Sequence, residues 1–337
     1  LVFGLCRSRN RLMKAYPDNI KEIGFLAALD RTAPYRPWFA GLGAVGYWMI
    51  GLFGTKPPKV FGVERVKLEE PAINCTEIRG GIEYQDAYLV DNDSRFVFSF
   101  VRSAIEAGAS VANYVELVSA QRVADRWVAR LRDVDSGEEF TTSARAIVNA
   151  GGPFVDQINE QWGLESENRI VYSKGIHLVV PRLTTNRHDR VLAFFDDTQR
   201  LFYVIPMGRR SVIGTTDTRI DTPFTAVDND DREFLLAQIN SRLVLDKPLT
   251  VDDIIAERSG VRPLVVKRHG DDKKNVDWTS LSRKHEIERD DDLNVVTIFG
   301  GKLTDCLNVG EEVAHKIEQL GIPLEQDLEN WYGEPAK

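Results

Sequence analysis

The sequence has 337 residues, 43% hydrophobic and 28% charged, with a formal net charge of -8. That length allows one large domain or two of ordinary size, and the acidic balance excludes a surface built to neutralise nucleic-acid phosphates. Cys6, Cys75 and Cys306 are odd in number and far apart, so they form neither a disulfide framework nor a zinc spacing and fit a reducing compartment.

In chain order, residues 3–29 read as helical and mixed, broken by Pro17. Thr32 to Pro37 is turn-rich, and an uncharged run follows from Trp38 to Thr55. The run is slightly short of the ~20 apolar residues of a spanning helix. It reads either as a buried packing helix or as an interfacial segment, with Trp38, Tyr47 and Trp48 at headgroup level and Arg36, Lys56 and Lys59 flanking it. Gly41, Gly43 and Gly46 satisfy the pattern G-x-G-x-x-G, and Glu64 supplies an acid at the right distance. But Pro34 and Pro37 spoil the strand that should precede such a motif, and Pro57-Pro58 cuts the helix that should follow, so the match reads as coincidence.

Further on, Asp93-Ser94 can cap a helix through Ala107, ended by Gly108. Ser110 to Val118 reads as a strand, Arg126 to Leu131 and Phe140 to Thr142 as a hairpin, and Ala144 to Asn149 as a short strand running into Gly151-Gly152. This order suits an open α/β sheet that holds a nucleotide at its strand ends. Residues 170–220 are expected to be β-rich, residues 228–242 helical, and Asn294 to Phe299 a strand that turns through Gly300-Gly301 into a C-terminal helix.

Three places could carry chemistry. The two glycines at 300 and 301 let backbone approach a flat ligand, and the helix N-terminus after them favours negative charge, with Lys302 expected in its first turn. A plain strand-to-helix turn with a solvated lysine is the competing reading. Ser259 to Leu264 reads as a loop in which Pro263 pushes Arg262 towards extended backbone, where it could fork onto a phosphate or carboxylate, or serve only in a structural ion pair. His177, after Lys174-Gly175, is a candidate base for a hydroxyl proton, though a strand histidine is more often packing. His188, His269, His285 and His315 sit in surface-like contexts without metal-ligand spacing.

Together these segments resemble one family, FAD-dependent glycerol-3-phosphate dehydrogenase, within the glycine/D-amino-acid oxidase-like flavoproteins. The carriers are Gly81 to Asp86, Val148 to Pro153, Lys174 to Pro181, Ile213 to Asp217, Ser259 to Leu264 and Phe299 to Thr304. The resemblance implies a mixed α/β (α+β) fold: a Rossmann-like FAD-binding domain from residues 84–155 and 259–322, an antiparallel-sheet substrate or cap domain from 26–83 and 156–258, and a tail at 323–337. It implies that Gly300, Gly301, Lys302, Leu303 and Thr304 face the flavin ring, that Gly151 and Gly152 pass close to the diphosphate or ribose, and that Val115, at the end of its strand, meets the adenine part. Arg262 and Lys302 would bind the substrate phosphate, and His177 would accept the hydroxyl proton as sn-glycerol 3-phosphate becomes dihydroxyacetone phosphate. Electrons would pass to membrane quinone or another acceptor, which suits a cytoplasmic protein peripheral on the inner membrane; a homodimer is compatible with all of this.

Two departures qualify the resemblance. The family opens with a strand and its own glycine-rich fingerprint, neither of which precedes Leu1, so an N-terminally truncated sequence is expected. After Thr304 the chain reads Asp305-Cys306, where many relatives place a threonine and then a basic residue, which marks a divergent subgroup. The alternatives are a flavin oxidase of a small 2-hydroxy or amino acid, a nicotinamide enzyme using Gly41 to Gly46, and an inactive fragment that holds no FAD.

Overall fold

The computed structural model describes residues 2–183, 189–196, 199–268, 284–324 and 331–333. His188, His269 and much of the expected tail lie outside the described residues. In chain order the elements are α1 (Val2–Ala15), β1 (Ile20–Leu29), α2 (Pro37–Ile50), β2 (Lys59–Phe61), α3 (Val63–Glu69), β3 (Gly80–Leu89), α4 (Asp93–Glu106), β4 (Val115–Val123), β5 (Arg126–Asp133), β6 (Glu139–Ala144), β7 (Ile147–Asn149) and α5 (Val155–Gln161). There follow β8 (Asn168–Pro181), β9 (Arg190–Phe195), β10 (Leu201–Met207), β11 (Arg210–Gly214), β12 (Thr218–Ile220), α6 (Asn229–Arg242), β13 (Ala256–Lys267), β14 (Glu286–Asp290), β15 (Val295–Phe299) and α7 (Cys306–Gln319). The fold is mixed α/β, and the chain divides into two compact units, residues 1–88 with 173–261 and residues 89–172 with 262–337.

The first unit is built on a large sheet of order β12-β8-β11-β10-β9-β1-β3-β2. The β8, β11, β10 and β9 pairs are antiparallel, whereas β9 and β1 run parallel, so the expected antiparallel sheet is in fact mixed. Leu26, Leu178, Leu192, Val204 and Ile213 point to one face, where Leu235 and Ile239 of α6 are wholly buried against them. Burial of each such side chain contributes about 1.5–3 kcal/mol. Ala27, Leu29, Ile82 and Ala193 form the other face, over which α2 lies through Ala44 and Ala40. Gly41 is needed there, because a Cβ would come 2.4 Å from Val60 Cγ2.

Residues 20–29, read as helical and mixed, are the strand β1. Ile20-Lys-Glu-Ile-Gly-Phe-Leu-Ala-Ala-Leu is buried on both faces towards its end, so it lacks the alternation that marks a half-exposed strand. The glycines of the G-x-G-x-x-G match lie inside α2, so the pattern is indeed coincidental. The buried-helix reading of 38–55 is only partly met: Trp38 and Leu42 are each 62% exposed.

The second unit holds two three-stranded sheets, β4-β5-β6 and β14-β15-β7. The first is an antiparallel meander, anchored where Trp127 Nε1 donates to the Leu293 carbonyl at 2.6 Å. In the second, β15 pairs with β14 antiparallel and with β7 parallel. Helix α4 is capped by Asn92, whose side chain accepts from the Arg95 amide, rather than by Asp93-Ser94. The strand expected at 110–118 begins only at Val115, since Tyr114 has φ +56°, outside strand geometry.

Candidate functional site

In the first unit the register sets His177 directly beside a glycine. His177 of β8 pairs with Gly214 of β11, Gly214 with Tyr203 of β10, Tyr203 with Ala193 of β9, and Ala193 with Ala27 of β1. Directly opposed residues share a sheet face. The half-buried His177 ring therefore stands beside Gly214, with Tyr203 next in the row and two alanines beyond it. The strand beneath it is fixed from both sides. The Ile176 amide donates to Thr216 Oγ1 at 3.2 Å, Ser173 Oγ donates to Asp217, and Lys174 Nζ donates to Asp228 and Asp231 at 2.7 Å each. Burial alone would lower the Lys174 ammonium, but its hydrogen bonds to the two carboxylates outweigh that and hold it above the usual lysine value. Asp228, which caps α6, is held low chiefly by the same hydrogen bond.

In the second unit the glycine turns meet at one edge. β7 and β15 are parallel neighbours, with Asn149 opposite Thr297, so the chain leaves both strands at the same carboxyl end. Gly151 and Gly152 follow β7, and Gly300 and Gly301 follow β15. The carboxyl ends of parallel strands are where open α/β sheets take their ligands. Buried Asn149 shapes the first turn: its Oδ1 accepts from the Gly151 amide at 3.1 Å, and its Nδ2 donates to Asn159 Oδ1 at 2.8 Å and to the Val155 carbonyl at 3.0 Å. Gly152 then adopts φ +56°.

The second turn is tighter. Gly300 has φ +65° and Gly301 φ +110°, and a Cβ on Gly300 would stand 2.5 Å from Val265 Cγ2 and 3.3 Å from the Pro263 carbonyl oxygen. The turn is thus laid against the strand that carries Arg262. That segment was expected as a loop, but it is part of β13; the residue before proline and the glycine before Val261 accept extended backbone readily. Lys302 is exposed and precedes a 3-10 turn, Leu303–Asp305, with α7 starting only at Cys306. It is therefore not in the first turn of that helix; Asp305 donates its amide to the Lys302 carbonyl at 2.9 Å and delays the start.

Of the expected site residues, Gly151, Gly152, Gly300, Gly301, Lys302, Leu303, Thr304 and Arg262 belong to this edge of the second unit, and His177 to the first unit. Val115 is elsewhere: it opens rather than ends β4, in the separate meander sheet. One residue read as surface-like is not. His285 is 6% exposed and sits beside Gly301. Among the described residues no group of His, Cys, Asp or Glu could hold a metal ion.

A model of the family described as FAD dependent oxidoreductase matches residues 46–314, most of the chain. The chain belongs to that family. Among curated relatives, the aerobic glycerol-3-phosphate dehydrogenase of Escherichia coli (strain K12) is 29% identical over 299 residues, covering 85% of this chain and 56% of the relative. A glycerol-3-phosphate dehydrogenase of Pseudomonas tolaasii is 30% identical over 319 residues, covering 92% of this chain and 58% of the relative. The chain thus spans little more than half the length of these two bacterial relatives. Among solved structures, glycerol-3-phosphate dehydrogenase from Bacillus halodurans complexed with FAD superposes with a TM-score of 0.76 at 22% identity, covering 98% of this chain and 58% of that one. The FAD-bound L-alpha-glycerophosphate oxidase of Mycoplasma pneumoniae gives a TM-score of 0.67 at 13% identity, covering 99% of this chain and 83% of that one. At these identities the structures establish the flavoprotein fold. The family's cofactor fits what this chain offers: glycine turns at the ends of adjacent parallel strands, where backbone amides can approach a ligand that side chains would block.

Proposed function

We propose that the protein carrying this chain oxidises sn-glycerol 3-phosphate to dihydroxyacetone phosphate. The observation that carries the reading is the pair of glycine turns at the shared carboxyl end of β7 and β15, one of them leading into Lys302 and lying against the strand of Arg262. FAD, when bound, supplies the acceptor for the hydride leaving C2. The second unit holds the cofactor, with Gly151 and Gly152 near its diphosphate or ribose and Gly300 to Thr304 along the flavin. Arg262 and Lys302 hold the anionic phosphate by charge-assisted hydrogen bonds. His177, the candidate base, takes the proton of the C2 hydroxyl. The names of the curated relatives support this substrate over a carboxylate one.

The test is the absorbance spectrum of the purified full-length protein with FAD, before and after anaerobic glycerol 3-phosphate. Bleaching of the flavin band is expected. A protein that binds FAD but stays oxidised with this substrate, while a 2-hydroxy or amino acid bleaches it, overturns the assignment.

The electron acceptor in this reading is a membrane quinone, reached from the cytoplasmic face. Support comes from α2, which carries no charged residue and exposes Trp38, Phe39, Leu42 and Met49. A contiguous apolar surface of this kind suits an interfacial helix. Among the described residues no helix is long and apolar enough to cross a membrane. Co-flotation with phospholipid vesicles, lost in a Trp38→Asp, Leu42→Asp variant that still folds, is the expected result; equal flotation of both proteins would remove α2 from the contact.

A further inference from the structure

The His285 side chain is buried between two carboxylates that follow it by 20 and 27 residues, one ending the 3-10 turn and the other in α7. Its Nδ1 lies 2.8 Å from Asp305 Oδ2, and its Nε2 lies 3.1 Å from Glu312 Oε2. Asp305 is itself 8% exposed, and its Oδ1 accepts from Asn308 Nδ2 at 2.6 Å. The main chain of Asp305 closes the 3-10 turn on the Lys302 carbonyl. On the other side, Glu286 pairs with Phe299 across β14 and β15, so His285 lies one step further, alongside the glycine turn. A Cβ on Gly301 would stand 3.5 Å from His285 Cβ, and one on Gly300 would stand 3.5 Å from the Lys284 carbonyl oxygen.

These contacts form a connected path. The start of β14 holds the His285 ring; the ring holds the Asp305 carboxylate; the Asp305 amide holds Lys302. The Gly300-Gly301 turn has no side chains of its own to fix it, and glycine backbone is costly to order. Something outside the turn must define where Lys302 begins. A buried ring with a hydrogen-bond partner on each nitrogen has a fixed orientation, which a single contact would not impose.

We propose that His285 is a positioning residue for the Gly300–Lys302 turn, acting through Asp305. The functional part rests on the reading above, in which that turn lies along the flavin and Lys302 meets the substrate phosphate. His285 touches neither; it sets the backbone from which Lys302 reaches. A binding group displaced from its place raises KM while leaving kcat nearly unchanged, if its contact is equally strong in ground and transition states.

The experiment compares His285→Ala, His285→Asn and His285→Gln in the full-length protein. The asparagine amide reproduces a donor near the Nδ1 position, facing Asp305, and the glutamine amide one near Nε2, facing Glu312. Two readouts are needed: steady-state kinetics with glycerol 3-phosphate, and amide hydrogen exchange of residues 299–307. Expected for the alanine and glutamine variants is a KM raised about tenfold, with kcat within about twofold, and faster exchange confined to 299–307. The asparagine variant should resemble wild type in both. Exchange carries the positioning claim even if glycerol 3-phosphate never bleaches the flavin, an outcome that would sink the substrate reading alone. A lower melting temperature with unchanged KM and no local change in exchange would overturn the proposal and leave His285 structural. Recovery by glutamine but not asparagine would overturn the route through Asp305.

Discussion

A methyl group on the Cα of Gly214 would stand 2.8 Å from His177 Cδ2 and 2.6 Å from the Ile176 carbonyl oxygen. Gly214 also has φ +147°, a backbone region that costs other residues about 1–3 kcal/mol. Both effects act on the strand pair that carries His177. Gly214→Ala should therefore displace the ring and slow reduction of the flavin by glycerol 3-phosphate, towards the ~10²–10⁴-fold that a lost general base costs. Stopped-flow absorbance measures it. A folded variant reducing at the wild-type rate would take His177 out of the chemistry.

Lys174 and Asp231 form an ion pair in which both side chains are 8% exposed, and Asp228 joins it from a more open position. Lys174 is held above its ordinary value of 10.5, so its contribution is complete below that pH and is lost as pH rises through the higher folded value. Asp228 is held below its ordinary 3.8, so its contribution is present above that pH and is lost as pH falls through the lower folded value. Lys174→Met leaves Asp231 buried without its cation, which typically costs about 3–5 kcal/mol. Urea unfolding midpoints should show the gap to wild type widest between these limits and narrower in strong acid and strong base. A gap that does not vary with pH would mean that lost packing, not charge, causes it.

Gly300 leaves no room for a side chain against Val265: a methyl group on its Cα would stand 2.5 Å from Cγ2, and its φ is +65°. Gly300→Ala should destabilise by about 1–3 kcal/mol through overpacking and weaken FAD binding. Adding Val265→Ala removes the obstructing methyl but not the backbone strain, so partial recovery is expected. A double-mutant cycle on urea stability and on FAD affinity reads the coupling. Strict additivity of the two changes would show that the close approach does not matter.

Some of this architecture was readable residue by residue. β7, β15 and the turns after them are short apolar runs followed by paired glycines, a local signal that needs no distant partner. Helix α6 was equally legible through its cap and length. β1 was not, because its neighbour β9 lies far away in sequence and its burial on both faces erases the period of two. β13 carries Gly260 and Pro263, which punctuate turns elsewhere, so its extended course was hidden. His285 stands in a charged stretch that looks solvated, and its partners Asp305 and Glu312 follow at 20 and 27 residues' distance. A contact of that range leaves no mark in the local pattern.

Lys302 separates the phosphate reading from a carboxylate one. It is exposed at the start of a 3-10 turn, beyond two glycines, and the strand of Arg262 lies against that turn. Arginine alone can clamp a carboxylate with two parallel bonds, but a phosphate offers a third oxygen and a second negative charge. A hydrogen bond to a charged group contributes about 1.5–3 kcal/mol, so Lys302→Met should raise KM for glycerol 3-phosphate by roughly 10–100-fold, while Arg262→Met should do so for either substrate class. Kinetics of both variants with glycerol 3-phosphate and with a panel of 2-hydroxy and amino acids decide it. Loss confined to the phosphate substrate in Lys302→Met places the lysine on that group. A Lys302→Met enzyme with unaltered KM would leave Arg262 as the sole anion clamp and favour a carboxylate as the natural substrate.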